Sequence, residues 1–390
     1  MKNMDNIWKL YAIRFFHSLV PAYVIERLFW EQRGMTIQMV VYTEIIYAIT
    51  IVLLEVPTGI IADNWSRKKM MVLSAVLWCY MFLILLFATE FWHFSAAIFL
   101  AGIARSATSG SENALLYDSL RLSGKEQFFE KVLGRLNVFD FASAIIAALC
   151  GSLLASRFDF ELNYWISLVS MLVSLCLSLM LVEPSVKSNT DEPIEIKEYI
   201  RASLLFFRKN RGVSLLLLSG MVTGASLSFI YEFWQLYLER LDIPVVYFGL
   251  FSAAFMLLGL PGNMLAHAMK GWFSYRTLLS GVTAVIAAGF IYISLVKDYT
   301  GLAAIFLIGL FAGVIEPITT GYLHHRIDSS MRATMDSFQS LGENAVLMII
   351  GLGFGFFSSR FDIFGGYGFI AFICSVFFVY FVFASKKVVE

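Results

Sequence analysis

Residues 55–69 read Glu55-Val56-Pro57-Thr58-Gly59-Ile60-Ile61-Ala62-Asp63-Asn64-Trp65-Ser66-Arg67-Lys68-Lys69. Ahead of them Ile45 to Leu54 is apolar, and behind them Met70 to Ala88 is apolar again. One acid, Asp63, and three bases, Arg67, Lys68 and Lys69, thus separate two long hydrophobic runs. Hydrocarbon offers no water to backbone N–H and C=O groups, so runs of this kind cross a bilayer as helices. The charged stretch is then a tight hairpin at one membrane surface.

Composition leads to the same place. Apolar residues make up 59% of the chain and charged residues 15%, against roughly 45–50% and about 25% in soluble domains. The net charge of zero, with no basic-aromatic stripe, excludes a nucleic-acid partner. Met1 to Lys9 is short and mixed and carries no small-residue cleavage site, so it reads as the start of a retained first span rather than a signal peptide. Cys79, Cys150, Cys176 and Cys374 all fall inside apolar runs and read as buried thiols, neither a disulfide framework nor a metal site.

Twelve spans of about 20 residues or a little more fit the chain: 7–29, 36–61, 70–88, 94–120, 128–156, 161–182, 212–238, 244–269, 276–296, 301–325, 333–358 and 362–384. The chain therefore divides into a six-helix half over 1–185, a polar linker over 186–211 and a second six-helix half over 212–390. Ile196, Ile200 and Leu204 recur at helical spacing in the linker and predict a short surface helix. With the termini and every second loop on one side, that side holds 21 of the 29 Lys and Arg and the other side 6; Arg14 and Arg105 lie within spans. The bias predicts a multi-pass protein of a bacterial cell membrane with both termini cytoplasmic. Ser156-Arg157-Phe158-Asp159 closes the fifth span and Ser359-Arg360-Phe361-Asp362 the eleventh, an internal echo at an offset of 203 residues. Two related halves around a midplane cavity are the layout of a secondary transporter.

Gly59, Asp63, Arg67 and Lys68 stand in the register Gly-x-x-x-Asp-x-x-x-Arg-Lys between the second and third spans, and this hairpin resembles the signature loop of the major facilitator superfamily. Ser111-Glu112-Asn113-Ala114-Leu115-Leu116-Tyr117-Asp118-Ser119-Leu120 and Arg332-Ala333-Thr334 resemble bacterial twelve-helix drug exporters of that superfamily. The resemblance implies an all-α fold of two pseudo-symmetric halves, cavity-lining first, fourth, seventh and tenth spans, and a signature loop that stabilises one alternating-access state. It also implies that Asp63 and Arg67 make charge contacts with neighbouring helix ends and do not touch substrate. Three departures stand out. Arg105 is followed by Ser109 where the fourth-span pattern has Gly, with Gly110 one position late. The fifth span lacks the proline of the antiporter pattern. The second-half counterpart of the loop, Gly262 to Arg276, has no acid equivalent to Asp63.

An ionisable group in hydrocarbon costs at least about 2.5–3.5 kcal/mol on insertion scales, so each one in a span needs a reason. Arg105, Ser109 and Glu112 share one face of the fourth span, and Asp140 lies at matching depth on the fifth. They read either as a proton-coupling cluster, in which Arg105 keeps Asp140 or Glu112 ionised until substrate or proton intervenes, or as a permanent structural ion pair. Glu316 precedes Pro317, which frees backbone groups beside a carboxylate, and shares a face with Thr320; it is a further candidate for a proton. Arg14 and His17 on the first span could meet an anionic substrate, or Arg14 snorkels to the cytoplasmic surface. Glu232 shares a polar stripe with Ser228 and Gln235 on the seventh span, and Glu44 and Glu343 read as helix-to-helix bonds.

Tyr23 and the aromatics of the first and seventh spans, beside a carboxylate, fit an amphiphilic cation, while Trp30, Trp92, Trp234 and Tyr237 read as interfacial anchors at span ends. No Gly-rich phosphate loop with lysine is present, so transport would run on an ion gradient, and no enzyme is expected. The expected function is proton-coupled antiport that exports small amphiphilic compounds, multidrug efflux included. Uptake of a nutrient or translocation of a lipid-type substrate is the alternative. The expected partners are a small-molecule substrate, protons and the bilayer, for a monomer without cofactor.

Overall fold

The computed structural model describes residues 5–184, 210–270, 272–324 and 332–386; the side chains of Asp63, Glu316 and Thr320 and the expected linker helix lie outside the described residues. The described residues are all-helical. Eight of their stretches are long and apolar enough to cross a membrane unaided. The first and fourth spans are not among them; each is broken into two helices.

The first span is not one helix. Asp5–Ser18 (α1) gives way to a 3₁₀ turn at Pro21–Val24 and then Glu26–Gln32 (α2). Proline supplies no N–H, so the break strands backbone groups inside the bundle. Polar side chains of Phe160–Leu179 (α8) satisfy them: Ser170 Oγ donates to the Phe16 carbonyl (2.7 Å), Asn163 Nδ2 to the Pro21 carbonyl (3.1 Å), and the Ala22 N–H to Ser167 Oγ (3.0 Å). Gly151 on Phe129–Ala155 (α7) allows this turn to come close, since a Cβ there would stand 2.5 Å from the Pro21 carbonyl oxygen.

Ile37–Asn64 (α3) runs through Pro57 to Asn64, so the second-span hairpin is much shorter than the charged stretch: Trp65 and Ser66 alone join it to Arg67–Phe87 (α4). Phe91–Thr108 (α5) and Ser111–Arg121 (α6) make the fourth span, broken at Ser109 and at Gly110, whose φ of 75° lies where side chains with a Cβ are strained. Gly102 brings α5 against Thr50 of α3, and Thr58 Oγ1 donates to the Ser106 carbonyl at 2.9 Å. These elements, with residues 243–253, form one compact unit. One apolar cluster in it joins Leu10 and Ile13 of α1 to Met71, Leu115, Leu116, Leu120, Val132, Leu136 and Leu181.

The second compact unit holds Arg211–Arg240 (α9), most of Phe248–Lys270 (α10), Tyr275–Leu295 (α11), Thr300–His324 (α12) and Arg332–Ser385 (α13). α13 is the eleventh and twelfth spans in sequence, broken at Phe361 and Asp362, where Asp362 has a φ of 57°. Phe357 and Phe369 stack at 5.3 Å across the break; twelve residues of straight helix would hold them about 18 Å apart. The chain therefore turns back on itself there. Phe229, Phe233, Tyr237, Phe354 and Tyr367 pack together as the aromatic core of this unit.

Several expected surface anchors belong to the core. Trp30 and Tyr237 are fully buried and Trp234 is 6% exposed; of the four, Trp92 alone is exposed. Depth along a helix does not say which way the ring points. Trp30 donates through Nε1 to the Tyr164 hydroxyl (3.1 Å) and faces the Arg27 guanidinium at 4.6 Å. Cys150 and Cys176 are likewise exposed rather than buried, and all four thiols are free.

Candidate functional site

Within the first unit, α1, α4, α5, α6, α7 and α8 enclose a cavity of about 400 Å³. Its lining holds apolar residues, Ile13, Met71, Ala75 and Trp78, and polar ones that include Arg14, His17, Arg105, Ser109, Glu112 and Asp140. Six of the sixteen residues expected to act in coupling, substrate binding or the switch loop thus meet in one place.

The charges pair differently from the expectation. Arg14, not Arg105, holds both acids: its Nε donates to Glu112 Oε1 at 2.6 Å and its Nη1 to Asp140 Oδ2 at 3.1 Å. Arg14 does not snorkel to a surface. Ser18, one turn further along α1, donates its hydroxyl to the other oxygen of Asp140, so that both Asp140 oxygens are bound from the same helix face. A guanidinium is a planar fork of donors and can bridge two carboxylates where an ammonium could not do so as rigidly. Arg105 makes no salt bridge among the described residues, and its side chain is exposed to the cavity. His17 stands edge-on to Trp78, with ring centroids 5.3 Å apart, and makes no hydrogen bond among the described residues.

Ser109 lines the same cavity and donates to Glu55 Oε1 at 3.1 Å, tying the α5–α6 break to the start of the quoted stretch. Tyr23 does not line the cavity; it is exposed and packs near Phe82. Ser228, Glu232 and Gln235 belong to the second unit, on α9: Ser228 donates to the Gly224 carbonyl of its own helix (3.2 Å), Glu232 is half-buried and Gln235 is buried. Glu343 presses its carboxylate on Gly224, where any Cβ would collide with it, and Glu44 pairs with Arg27 at 2.7 Å. Glu44 thus makes the helix-to-helix bond expected of it, and Glu343 lies in close helix-to-helix contact.

A second cluster lies at the loop of residues 65–68. Arg67 forms an ion pair with Asp118 of α6 and also donates to the Ala114 carbonyl at 3.3 Å. Glu183, just past α8, accepts from Ser66 Oγ (2.5 Å) and from the backbone N–H groups of Arg67 (3.1 Å) and Lys68 (2.8 Å). A carboxylate here satisfies orphan donors of the first turn of α4 and sits at the positive end of its dipole. Gly59 has open space around it, and Lys68 is half-buried. Asp118 and Glu183 were not singled out from the sequence; the one readable signal was an acid at the end of each neighbouring span.

The profile of the Major Facilitator Superfamily matches residues 12–344. The chain belongs to this superfamily. No curated protein matches it. Its fold is similar to that of a mutant form of the nucleoside transporter NupG (TM-score 0.81, 15% identity, covering 98% of this chain and 100% of that one). It is also similar to a bacterial homologue of the human lysosomal transporter Spinster (TM-score 0.73, 14% identity, 99% and 97%) and to a D-xylose-proton symporter (TM-score 0.73, 10% identity, 100% and 98%). At these identities the likeness is one of fold alone.

Proposed function

We propose that this protein is a proton-coupled secondary transporter in which Asp140 and Glu112, bridged by Arg14, bind the coupling proton. The observation that carries the reading is the shared guanidinium: one cation serves two carboxylates in a cavity inside an apolar bundle. Protonating either carboxylate removes a charged acceptor and releases one arm of Arg14, which gives α1 two bonding arrangements against α6 and α7. A proton thereby biases a two-state element, as coupling requires. The D-xylose-proton symporter among the similar structures supports a proton as the ion.

In this cycle the halves 1–185 and 212–390 are the moving bodies, 186–211 tethers them, and Gly59, Asp63, Arg67 and Lys68 form the switch. Export of small amphiphilic compounds is the direction we assign, on the likeness of Ser111 to Leu120 to drug exporters. Purified protein in proteoliposomes with an imposed pH gradient tests the reading. Addition of substrate should move protons in the wild type, and Asp140→Asn should abolish gradient-driven movement while leaving substrate binding in place. Full uphill transport by Asp140→Asn, with an unchanged pH profile, would overturn the assignment.

A further inference from the structure

The same cavity has a pattern of committed and uncommitted groups. Both oxygens of Asp140 are taken, by Arg14 and Ser18, and Glu112 holds Arg14 through Oε1. A cationic ligand would have to displace a guanidinium held in charge-assisted bonds. The Arg105 guanidinium, which donates only, and the His17 imidazole also line the space; among the described residues the first makes no ion pair and the second no hydrogen bond. The first turn of α6 opens on the cavity through Gly110, Glu112 and Asn113, and no side chain caps it. Ile13, Met71, Ala75 and the Trp78 ring line the same space, and Trp78 touches His17.

We propose that the substrate is a small amphiphilic organic anion whose carboxylate is taken by Arg105, with His17 beside it, and whose apolar part lies on Trp78 and Met71. A volume of about 400 Å³ holds a compound of this kind; ligand pockets run from roughly 300 to 1,000 Å³. Removing Arg105 leaves no buried carboxylate stranded, because Arg105 pairs with none among the described residues. Its substitution should therefore weaken binding without unfolding the protein. The proposal rests on the transporter reading and sharpens its substrate.

The test is equilibrium binding to the full-length purified protein, read as thermal protection. The probes are a panel of small aromatic and aliphatic carboxylates, each beside its matched amide and amine; benzoate, benzamide and benzylamine form one set. At least one carboxylate should bind, at least about tenfold more tightly than its amide and amine, and Arg105→Gln should remove that preference. Arg105→Lys, which keeps the charge, should recover part of it, and His17→Gln should weaken binding less than Arg105→Gln. Binding of the amines instead, no binding by any carboxylate, or a preference unchanged in Arg105→Gln would each overturn the proposal. A carboxylate that binds through Arg105 but does not move under an imposed proton gradient would sink the transport reading and leave the site. An amine moved by the gradient would do the reverse.

Discussion

Replacing Arg14 by Gln leaves two carboxylates in the cavity without the cation that bridges them. Opposite unit charges about 4 Å apart attract by about 4 kcal/mol at an effective dielectric near 20. Two such contacts, at 2.6 and 3.1 Å between bonded atoms, are lost together. Breaking a fully buried pair by deleting one partner costs about 3–5 kcal/mol, while an exposed pair is worth about 0–1 kcal/mol. The side chains here are 25%, 12% and 33% exposed for Arg14, Glu112 and Asp140, which places the site between those limits. Arg105 on the same cavity supplies part of the missing charge. The expected loss is therefore about 2 kcal/mol, between the exposed and buried cases. It is read as a lower midpoint of thermal unfolding for purified Arg14→Gln at about pH 8. The sign with pH follows from the charges. Protonating Glu112 or Asp140 removes the uncompensated charge in the variant, whereas in the wild type it removes a favourable contact. Acidification should therefore narrow the gap between the two proteins. Arg14→Gln combined with Asp140→Asn should also lie closer to wild type at about pH 8 than Arg14→Gln alone, since the stranded charge is gone. A gap that widens on acidification, or a double variant worse than the single one, would refute the bridging role of Arg14.

Asp118→Asn and Glu183→Gln each loosen the loop at residues 66–68 and should slow transport severalfold with substrate binding unchanged, measured as separate rate and equilibrium constants; collapse of binding with normal turnover would refute the switch assignment. Gly151→Ala places a Cβ against the Pro21 carbonyl oxygen and should destabilise by about 1–3 kcal/mol. Gly134→Ala on the same helix has open space around it and should be neutral or stabilising, by up to about 1 kcal/mol. Equal effects of these two substitutions on the thermal midpoint would remove the close-approach argument.

Residues 55–69 already carried the membrane class and the family, because hydrophobic length and charge register are local properties of the chain. The breaks were harder to read. Pro21 and Gly110 interrupt spans whose hydropathy continues past them, and whether a bundle tolerates a break depends on who takes the stranded groups. Asn163, Ser167 and Ser170 do so for the first span, yet in the sequence they are three polar residues in an apolar run with no stated partner. Orientation posed the same problem for the aromatics: Trp30 and Trp92 both lie near span ends, and packing buries one and exposes the other.

The pairing of Arg14 and Arg105 is the sharpest case. Both are lone arginines inside apolar runs, and periodicity placed Arg105 on the face of Glu112, which made Arg105 the natural partner. The break at Gly110 undoes that inference, since residues on either side of it no longer share a helical face. Once α6 is a separate helix, Glu112 turns to Arg14, and Ser18, one turn beyond Arg14, completes the bonding of Asp140. A single glycine in the left-handed region thus decides which arginine is committed to the acids and which is left for a ligand.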